Sequence, residues 1–334
     1  MENLRFFSIQ EASQIGEARR SASALARLLN FDTTEIEKVA IVTTEMASNL
    51  VKHTNGGHLL IQPLEQQGIT GIELLSLDQG PGMSNVAACL ADGYSTAGSR
   101  GEGLGAIQRM ATVFDIYSLK ASGTALLAQL WAQPLPKKSQ RARLELGVVC
   151  LPKPGETLNG DSWAVRWQAE QDLFLVVDGL GHGPGAATAA YEAVRVFQNA
   201  QLIEPTVLVE KMHQVLRSTR GAVVALVAIS LGQQLTFVGV GNIVGTVLTN
   251  DKSQHTISHN GTVGHTIHRI QPFTYPWTPQ SLLILHSDGL GTRWNLNAYP
   301  GLRERHPSLI AGVLYRDFKR GTDDVTVLVV KELQ

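Results

Sequence analysis

The sequence predicts an α+β protein in two parts, joined near residue 133. Three observations predict it. Residues up to about 131 open with two long helical patterns and then turn to paired strands around glycine clusters. The stretch Gln133-Pro134-Leu135-Pro136-Lys137-Lys138-Ser139-Gln140-Arg141 carries two prolines, basic and amide side chains and no periodicity, as linkers do. Beyond it, short β-branched runs dominate, with a few helical stretches between them. The expected division is 1–132, a linker at 133–143, and 144–334.

In the first part, Glu11 to Leu29 is rich in Ala, Leu and Arg and reads as a helix. Asp32, Thr33 or Thr34 can cap a second helix, with Glu37 three residues after Thr34 as in a capping box. That helix is expected to reach His53, where Asn55-Gly56-Gly57 ends it. Strands are expected at 58–62 and 71–77, then a Gly-rich stretch from Asp78 to Gly105. A helix at 105–112 and strands at 113–119 and 124–131 follow. In the second part, strands are expected at 173–177, 223–230, 235–240, 243–248, 282–285 and 325–330. Helices are expected near 185–200, 205–216 and 307–318.

A length of 334 residues suits two domains, each able to bury a core. Hydrophobic residues at 43% and charged residues at 17% fit a globular protein, and a net charge of −1 with no basic patch excludes typical nucleic-acid binding. Cys89 and Cys150 are far apart and lack a His/Cys cluster, which excludes a disulfide framework and a Cys-based zinc site. A reducing, cytoplasmic setting is expected. Residues 1–5 show no basic region leading into an apolar run, so no signal peptide is expected. The apolar run from Ala222 to Leu231, ten residues, is too short for a membrane span.

On the second helix Glu45 and Asn49 stand four residues apart and share a face, which His53 extends. Ile36, Val39, Ala40, Thr43, Met46, Ala47 and Leu50 form the expected core stripe. Alone, the polar row reads more readily as a solvated helix face. It also fits phosphate chemistry, since an Asn oxygen can ligate Mg²⁺ and a nearby Glu can take a proton from a hydroxyl. Downstream, Asp78-Gln79-Gly80-Pro81-Gly82 follows an apolar strand, and Gly101-Glu102-Gly103-Leu104-Gly105 precedes a helix. Glycines admit a close ligand, and a helix N-terminus suits phosphate. The layout is neither that of a dinucleotide-binding βαβ unit nor that of a P-loop.

Taken in order, Glu45-x-x-x-Asn49, Asp78-x-Gly80-x-Gly82, Gly101-x-Gly103-x-Gly105 and Gly123-Thr124 resemble the ATP-binding boxes of the GHKL superfamily. The likeness is greatest to small serine kinases of the RsbT/RsbW anti-sigma type, over roughly residues 10–132. The resemblance implies an N-terminal Bergerat α/β sandwich. It implies Glu45 as base, Asn49 as Mg ligand and Asp78 as adenine anchor. Gly80, Gly82, Gly101, Gly103, Leu104, Gly105 and Thr124 would line the nucleotide. With 18 residues between Gly82 and Gly101, any ATP lid is short.

In the second part, Asp161 lies in Asn159-Gly160-Asp161-Ser162-Trp163, and Asp178-Gly179-Leu180-Gly181-His182-Gly183 follows an apolar strand. Ser287-Asp288-Gly289 follows another, and Gly321-Thr322-Asp323-Asp324-Val325-Thr326 enters the last. Any one of these fits a plain turn, since Asp-Gly is a common turn pair. As a set, aspartates at strand ends can converge, and oxygen-only donors select Mg²⁺ or Mn²⁺. Two such ions, roughly 3.5–4 Å apart, activate water on a phosphoester.

The four motifs resemble metal-dependent PPM phosphatases of the SpoIIE/RsbX branch, over roughly residues 144–332. The resemblance implies a β-sandwich flanked by α-helices. Asp161, Asp178, Asp288 and Asp323 would hold two Mn or Mg ions, with the Gly179 carbonyl assisting. Asp324 is an alternative to Asp323. No basic residue stands out as the substrate-phosphate ligand.

Together these resemblances imply a bifunctional partner-switching regulator. One half would phosphorylate Ser or Thr of a STAS-domain antagonist with ATP and Mg, and the other would remove phosphate from the same or a related partner. The alternative is a phosphatase alone, with the first half a nucleotide- or partner-binding regulatory module. Two opposed activities on one partner require reciprocal control, and the linker is the expected pivot. The sequence leaves monomer or dimer open.

Overall fold

The computed structural model describes residues 4–90, 103–135, 143–201, 204–230, 233–250 and 252–332. The chain divides into two compact units, Met1–Ser139 with Asn295–Arg316, and Gln140–Trp294 with Asp317–Gln334. No helix among the described residues is long and apolar enough to cross a membrane.

The first unit is built on an antiparallel sheet of β1 (Arg5–Ile9), β2 (Gly57–Gln66), β3 (Ile69–Asp78), β4 (Val113–Leu119) and β5 (Gly123–Trp131), in the order β1-β2-β3-β5-β4. Helices α1 (Ala12–Leu28), α2 (Thr33–His53), α3 (Val86–Leu90) and α4 (Gly103–Met110) complete the first stretch of chain. The α2 cap is Asp32, whose carboxylate accepts from Glu35 N at 2.8 Å, rather than either threonine. Strand side chains alternate between faces. Leu59, Ile61, Ile72, Leu74, Leu126, Ala128 and Leu130 join Val39, Val42, Met46 and Leu50 of α2 in one core. Most of the core stripe expected on α2 is buried, although Ile36 and Ala40 are only partly covered. The sequence analysis did not identify β1, whose alternating pattern spans only five residues, or the short α3.

The second unit is a sandwich of two five-stranded sheets, β15-β10-β9-β8-β7 and β12-β11-β16-β17-β6. The first contains β7 (Asp161–Arg166), β8 (Gln171–Gly179), β9 (Ala222–Ser230), β10 (Gln234–Val240) and β15 (Phe273–Pro276). The second contains β6 (Leu144–Leu151), β11 (Val244–Leu248), β12 (Ser253–His255), β16 (Leu282–His286) and β17 (Val325–Glu332). A small ladder of β13 (Gly261–Thr262) and β14 (Thr266–Ile267) lies between them in sequence. The inner faces meet through Phe174, Val176, Val227, Phe237, Leu283, Leu285, Leu328 and Val330. Outward residues Leu173, Leu175, Val177 and Leu226 pack on α5 (Pro184–Asn199) and α6 (Pro205–Val215). Ala189, Ala190 and Ala193 of α5 have no exposed surface beyond 1%, and these short side chains let the helix lie close to the sheet. The sequence analysis did not identify β6 or β7, whose residues mix polar and apolar types without strict alternation.

The third expected helix, α7 (Pro307–Phe318), is present but does not flank the sandwich as a member of the second unit. Residues Asn295–Arg316 belong to the first unit, whereas the sequence had placed all of 144–334 together. The reason lies in the second face of the β1–β5 sheet. There Glu73 is 1% exposed, with Gln62 and Gln129 amides donating to it at 2.6 and 2.8 Å and Ser308 Oγ at 2.7 Å. Burial raises its carboxyl above the usual range, with the Ser308, Gln129 and Gln62 hydrogen bonds opposing. His306 N and Arg305 Nη1 donate to Asp115 at 2.8 and 3.2 Å. A Cβ on Gly312 would stand 2.9 Å from methyl groups of both Leu75 and Leu77. Gly312→Val is therefore expected to overpack this layer at a cost of roughly 1–3 kcal/mol, read as a lower thermal midpoint with unchanged secondary structure by circular dichroism.

Candidate functional site: a nucleotide pocket and an acidic centre

Glu45 and Asn49, both half-buried on α2, face the start of α4. A Cβ at Gly103 would stand 2.7 Å from Glu45 Oε2 and 3.9 Å from Asn49 Oδ1, so a larger residue there would push the Glu45 carboxylate aside. Leu104 packs against the hydrophobic core and Gly105 is buried. Their backbones, in the first turn of α4, are thus the groups that can meet a phosphate. Gly101 lies outside the described residues. His53, which continues the row, is exposed.

Asp78 closes β3 and is 8% exposed. Its Oδ1 accepts from Gly80 N at 2.8 Å and Thr124 N at 3.2 Å. Thr124 Oγ1 lies 2.9 Å from Ser118 Oγ, which also accepts from Met83 N at 2.8 Å. Gly123 has φ +85°, and a Cβ there would strike the Asp78 carbonyl. These contacts draw the Asp78, Gly80–Gly82 and Gly123–Thr124 boxes together although 46 residues separate Asp78 from Thr124. Burial raises the Asp78 carboxyl, while the Gly80 and Thr124 amides and then Arg316 act against that rise.

In the second unit Asp161 and Asp178 are register partners on adjacent strands β7 and β8. Asp161 is 4% exposed; its Oδ2 accepts from Ser287 Oγ at 2.6 Å, and Ser287 Oγ in turn accepts from Thr326 N at 2.9 Å. Asp288 Oδ2 accepts from Asn242 Nδ2 at 3.0 Å. Asp323 Oδ1 accepts from Asp324 N at 2.9 Å, and Asp324 Oδ1 from Lys153 N at 2.8 Å. Gly179 N donates to Gly160 O at 3.0 Å. His182 Nδ1 sits 2.8 Å from Glu156 Oε1 at the edge of this centre.

The carboxylates sense one another. Desolvation first, then repulsion from Asp161, Asp288, Asp323 and Asp324, pushes Asp178 up to about 9. Burial is also the main cause at Asp161, pushed up to about 7 against its Ser287 and Thr326 hydrogen bonds. No three His, Cys, Asp or Glu side chains among the described residues are gathered into a ready metal cage. The donor set nevertheless fits hard divalent cations. Asp324 Oδ2 is buried without a hydrogen-bond partner, and a Cβ at Gly160 would stand 2.6 Å from it. Such an orphaned oxygen among repelling carboxylates is what a cation would satisfy.

Sequence reasoning missed Asn242, Glu156 and the orienting role of Ser287. Asn242 sits in a Gly-Asn turn that reads only as a turn. Ser287 was visible beside Asp288, but its partner is 126 residues away. Cys150 accepts hydrogen bonds from Asn159 and Thr326, and burial pushes its thiol up to about 12. It is expected to stay unreactive to thiol reagents in the folded protein at about neutral pH, measured by labelling before and after unfolding.

The raised carboxyls give a signed prediction. Both folded values lie above the ordinary 3.8, so the folded state holds these protons longer. The stabilisation is present in acid and is lost as pH rises through about 7 for Asp161 and about 9 for Asp178. The chelated protein is expected to melt lower at about pH 8 than at about pH 5, and Mn²⁺ to raise the midpoint more at the higher pH. Scanning calorimetry with EDTA and with Mn²⁺ checks both.

Comparison with known proteins finds a match for each half of the chain. Residues 169–332 match the stage II sporulation protein E (SpoIIE) family, and residues 9–130 match the histidine kinase-like ATPase domain. The chain is similar to serine/threonine-protein kinase RsbT of Bacillus subtilis (strain 168), 29% identical over 114 residues, which cover 34% of this chain and 86% of that protein. It is similar to phosphoserine phosphatase RsbX of the same organism, 25% identical over 142 residues, 42% of this chain and 71% of that one. A solved structure of RsbX in complex with magnesium superposes with a TM-score of 0.50 at 21% identity, covering 59% of this chain and 98% of that chain. The chain thus joins an N-terminal region like a histidine kinase-like ATPase domain to a C-terminal region with the SpoIIE-type phosphatase fold.

Proposed function

We propose that this chain both adds and removes a phosphate on Ser or Thr of a STAS-domain antagonist protein, as a cytoplasmic partner-switching regulator. The observation that carries the reading is the pairing of Asp161 and Asp178 across β7 and β8, with Ser287 bonded to Asp161 and the unpartnered, buried Asp324 Oδ2 close to Gly160. In the erasing half, Asp161, Asp178, Asp288 and either Asp323 or Asp324, whose Oδ2 is buried without a partner, would hold two Mn or Mg ions, with the Gly179 carbonyl. Ser287 orients Asp161, and Asn242 orients Asp288. Asp324, tied to Lys153 N, fixes the turn that presents Asp323. When bound, the ions supply an activated water and offset phosphate charge.

In the writing half, Asp78 receives the adenine amino group. The backbone from Gly101 to Gly105 meets the phosphates, and Asn49 holds Mg. Gly80, Gly82 and Thr124 shape the wall beside the base. Glu45 takes the proton from the partner's hydroxyl as it attacks. Similarity to RsbT and RsbX, a kinase and a phosphatase by their names, supports the pairing.

The test is a two-way assay against a STAS-domain antagonist protein. With ATP and Mg²⁺ the full chain is expected to phosphorylate it; with Mn²⁺ and no nucleotide it is expected to release phosphate from the product. Hydrolysis without transfer would leave the first half a regulatory module, and the absence of both would overturn the reading.

A further inference from the structure

We propose that Arg220 binds the phosphoryl group of the substrate at the rim of the acidic centre. The proposal rests on the phosphatase reading of that centre, and it supplies the phosphate-binding cation that the motifs alone do not reveal. Strand register puts Arg220 there. Asp178 pairs with Val223 and Gly179 with Ala222 across β8 and β9. One step further, Leu180 N donates to Gly221 O at 3.0 Å, which sets Arg220 beside Gly181. The side chain folds back over the main chain. A Cβ on Gly185 would stand 2.5 Å from Arg220 Nε and 2.7 Å from its Cζ, and one on Gly181 would stand 3.5 Å from Nη1. The guanidinium therefore lies against both Gly181 and the first turn of α5. The next residue of that turn, Ala186, borders the centre. A Cβ on Gly179 would strike the Ala186 carbonyl. One on Gly160 would stand 2.8 Å from Ala186 Cβ and 2.6 Å from Asp324 Oδ2. One helical turn thus touches Arg220 and the two glycines beside the proposed metal donors.

Arg220 is exposed, and no carboxylate among the described residues pairs with it. Glu156, the acid lying against Gly183, is taken by His182 at 2.8 Å. Between residues 211 and 270, Lys211, Arg217, Arg220, Lys252 and Arg269 stand against a single acid, Asp251, so the nearby chain does not neutralise the guanidinium. The main chain that carries it is braced. Arg220 O accepts from His265 Nε2 at 2.8 Å, and Gly264 N donates to His213 Nδ1 at 3.0 Å. Ala222 and Val263 exchange both backbone hydrogen bonds, at 3.0 and 2.8 Å. An unpaired guanidinium on a fixed backbone suits a phosphomonoester, which carries about −1.5 to −2 charge at pH 7 and offers several oxygens to the planar fork. The centre itself does not supply that attraction. Two divalent ions set against Asp161, Asp178, Asp288, Asp323 and Asp324 leave no excess positive charge for a phosphate dianion. Arg220 adds it at the rim.

The experiment uses the full chain at saturating Mn²⁺, with p-nitrophenyl phosphate as substrate and inorganic phosphate as competing ligand. Arg220→Ala is expected to lower kcat/KM about tenfold or more, carried mainly by KM, and to weaken phosphate inhibition by the same factor. Arg220→Lys keeps the charge and loses the fork, so it is expected to fall between the two. Gly185→Ala displaces the guanidinium without removing it, and alanine suits a helix better than glycine. It is expected to raise KM about threefold alone, and less than about 1.5-fold when combined with Arg220→Ala. Inorganic phosphate is also expected to raise the thermal midpoint of the Mn²⁺-loaded wild type and not that of Arg220→Ala. Unaltered KM and phosphate inhibition in Arg220→Ala would overturn the proposal while leaving the phosphatase reading intact. A fall in kcat alone would overturn it too, as would a Gly185→Ala effect that persists in full without Arg220. No hydrolysis by the wild type would instead bring down the phosphatase reading, and the proposal with it.

Discussion

Asp178→Asn is expected to abolish phosphoester hydrolysis while stabilising the metal-free protein. Asp178 faces Asp161 across β7 and β8 and also feels Asp288, Asp323 and Asp324. Its burial without a cation is unfavourable, which is why its carboxyl is pushed up to about 9. Replacing it with a neutral amide of the same shape removes that repulsion, so the chelated variant should melt above the wild type at about pH 8 and lose part of the pH dependence. The same change removes a proposed metal donor. Charge stabilisation by such ions is worth several kcal/mol, and about 1.4 kcal/mol is a tenfold change in rate, so hydrolysis should fall by about 10³ or more. The opposite signs make the test stringent. p-Nitrophenyl phosphate turnover with Mn²⁺, and calorimetry with EDTA, read the two sides. Full turnover in the variant would remove Asp178 from the centre.

Glu45→Gln is expected to reduce phosphotransfer from ATP by about 10²–10⁴, the range for loss of a general base. Gln keeps the size of the side chain, which matters because Gly103 lies against Glu45 Oε2. Nucleotide affinity should hold, since Asp78 and the glycine boxes sit elsewhere in the pocket. Asn49→Ala is expected to weaken ATP binding in Mg²⁺ instead, because it removes the proposed donor to the ion. The two variants thus separate chemistry from binding. Radiolabel transfer to the STAS partner measures the first, and a fluorescent nucleotide the second. Undiminished transfer by Glu45→Gln would overturn the assignment of Glu45 as the base.

Much of this was legible because short-range chemistry writes it. The α2 core stripe, its cap region and the Glu45–Asn49 row follow from helical period. The buried strands β8, β9, β16 and β17 show as apolar runs. The aspartates were found at strand ends because an apolar run that stops at Asp-Gly leaves the carboxylate at the sheet's rim. Strands β1, β6 and β7 were missed because their pairing partners, not their own pattern, make them strands. Asp324 shows the same limit. In sequence it is interchangeable with Asp323; in the fold it is buried at 3% exposure and tied to Lys153, 171 residues away.

By itself, the sequence determined the two architectures, the order of their motifs and the residue types at each site, because these depend on periodicity, turn chemistry and donor identity along the chain. Only the tertiary structure decided where α7 belongs. Its residues from Pro307 to Arg316 are all buried, and an apolar helix carries no mark of which sheet it will cover. That choice was made by a buried carboxylate, Glu73, that needed Ser308, by an Asp115 that receives Arg305 and His306, and by a glycine that fits between Leu75 and Leu77. These partners lie more than 190 residues apart for Asp115 and His306, 235 for Glu73 and Ser308. Contacts at that separation exist only once the chain has folded.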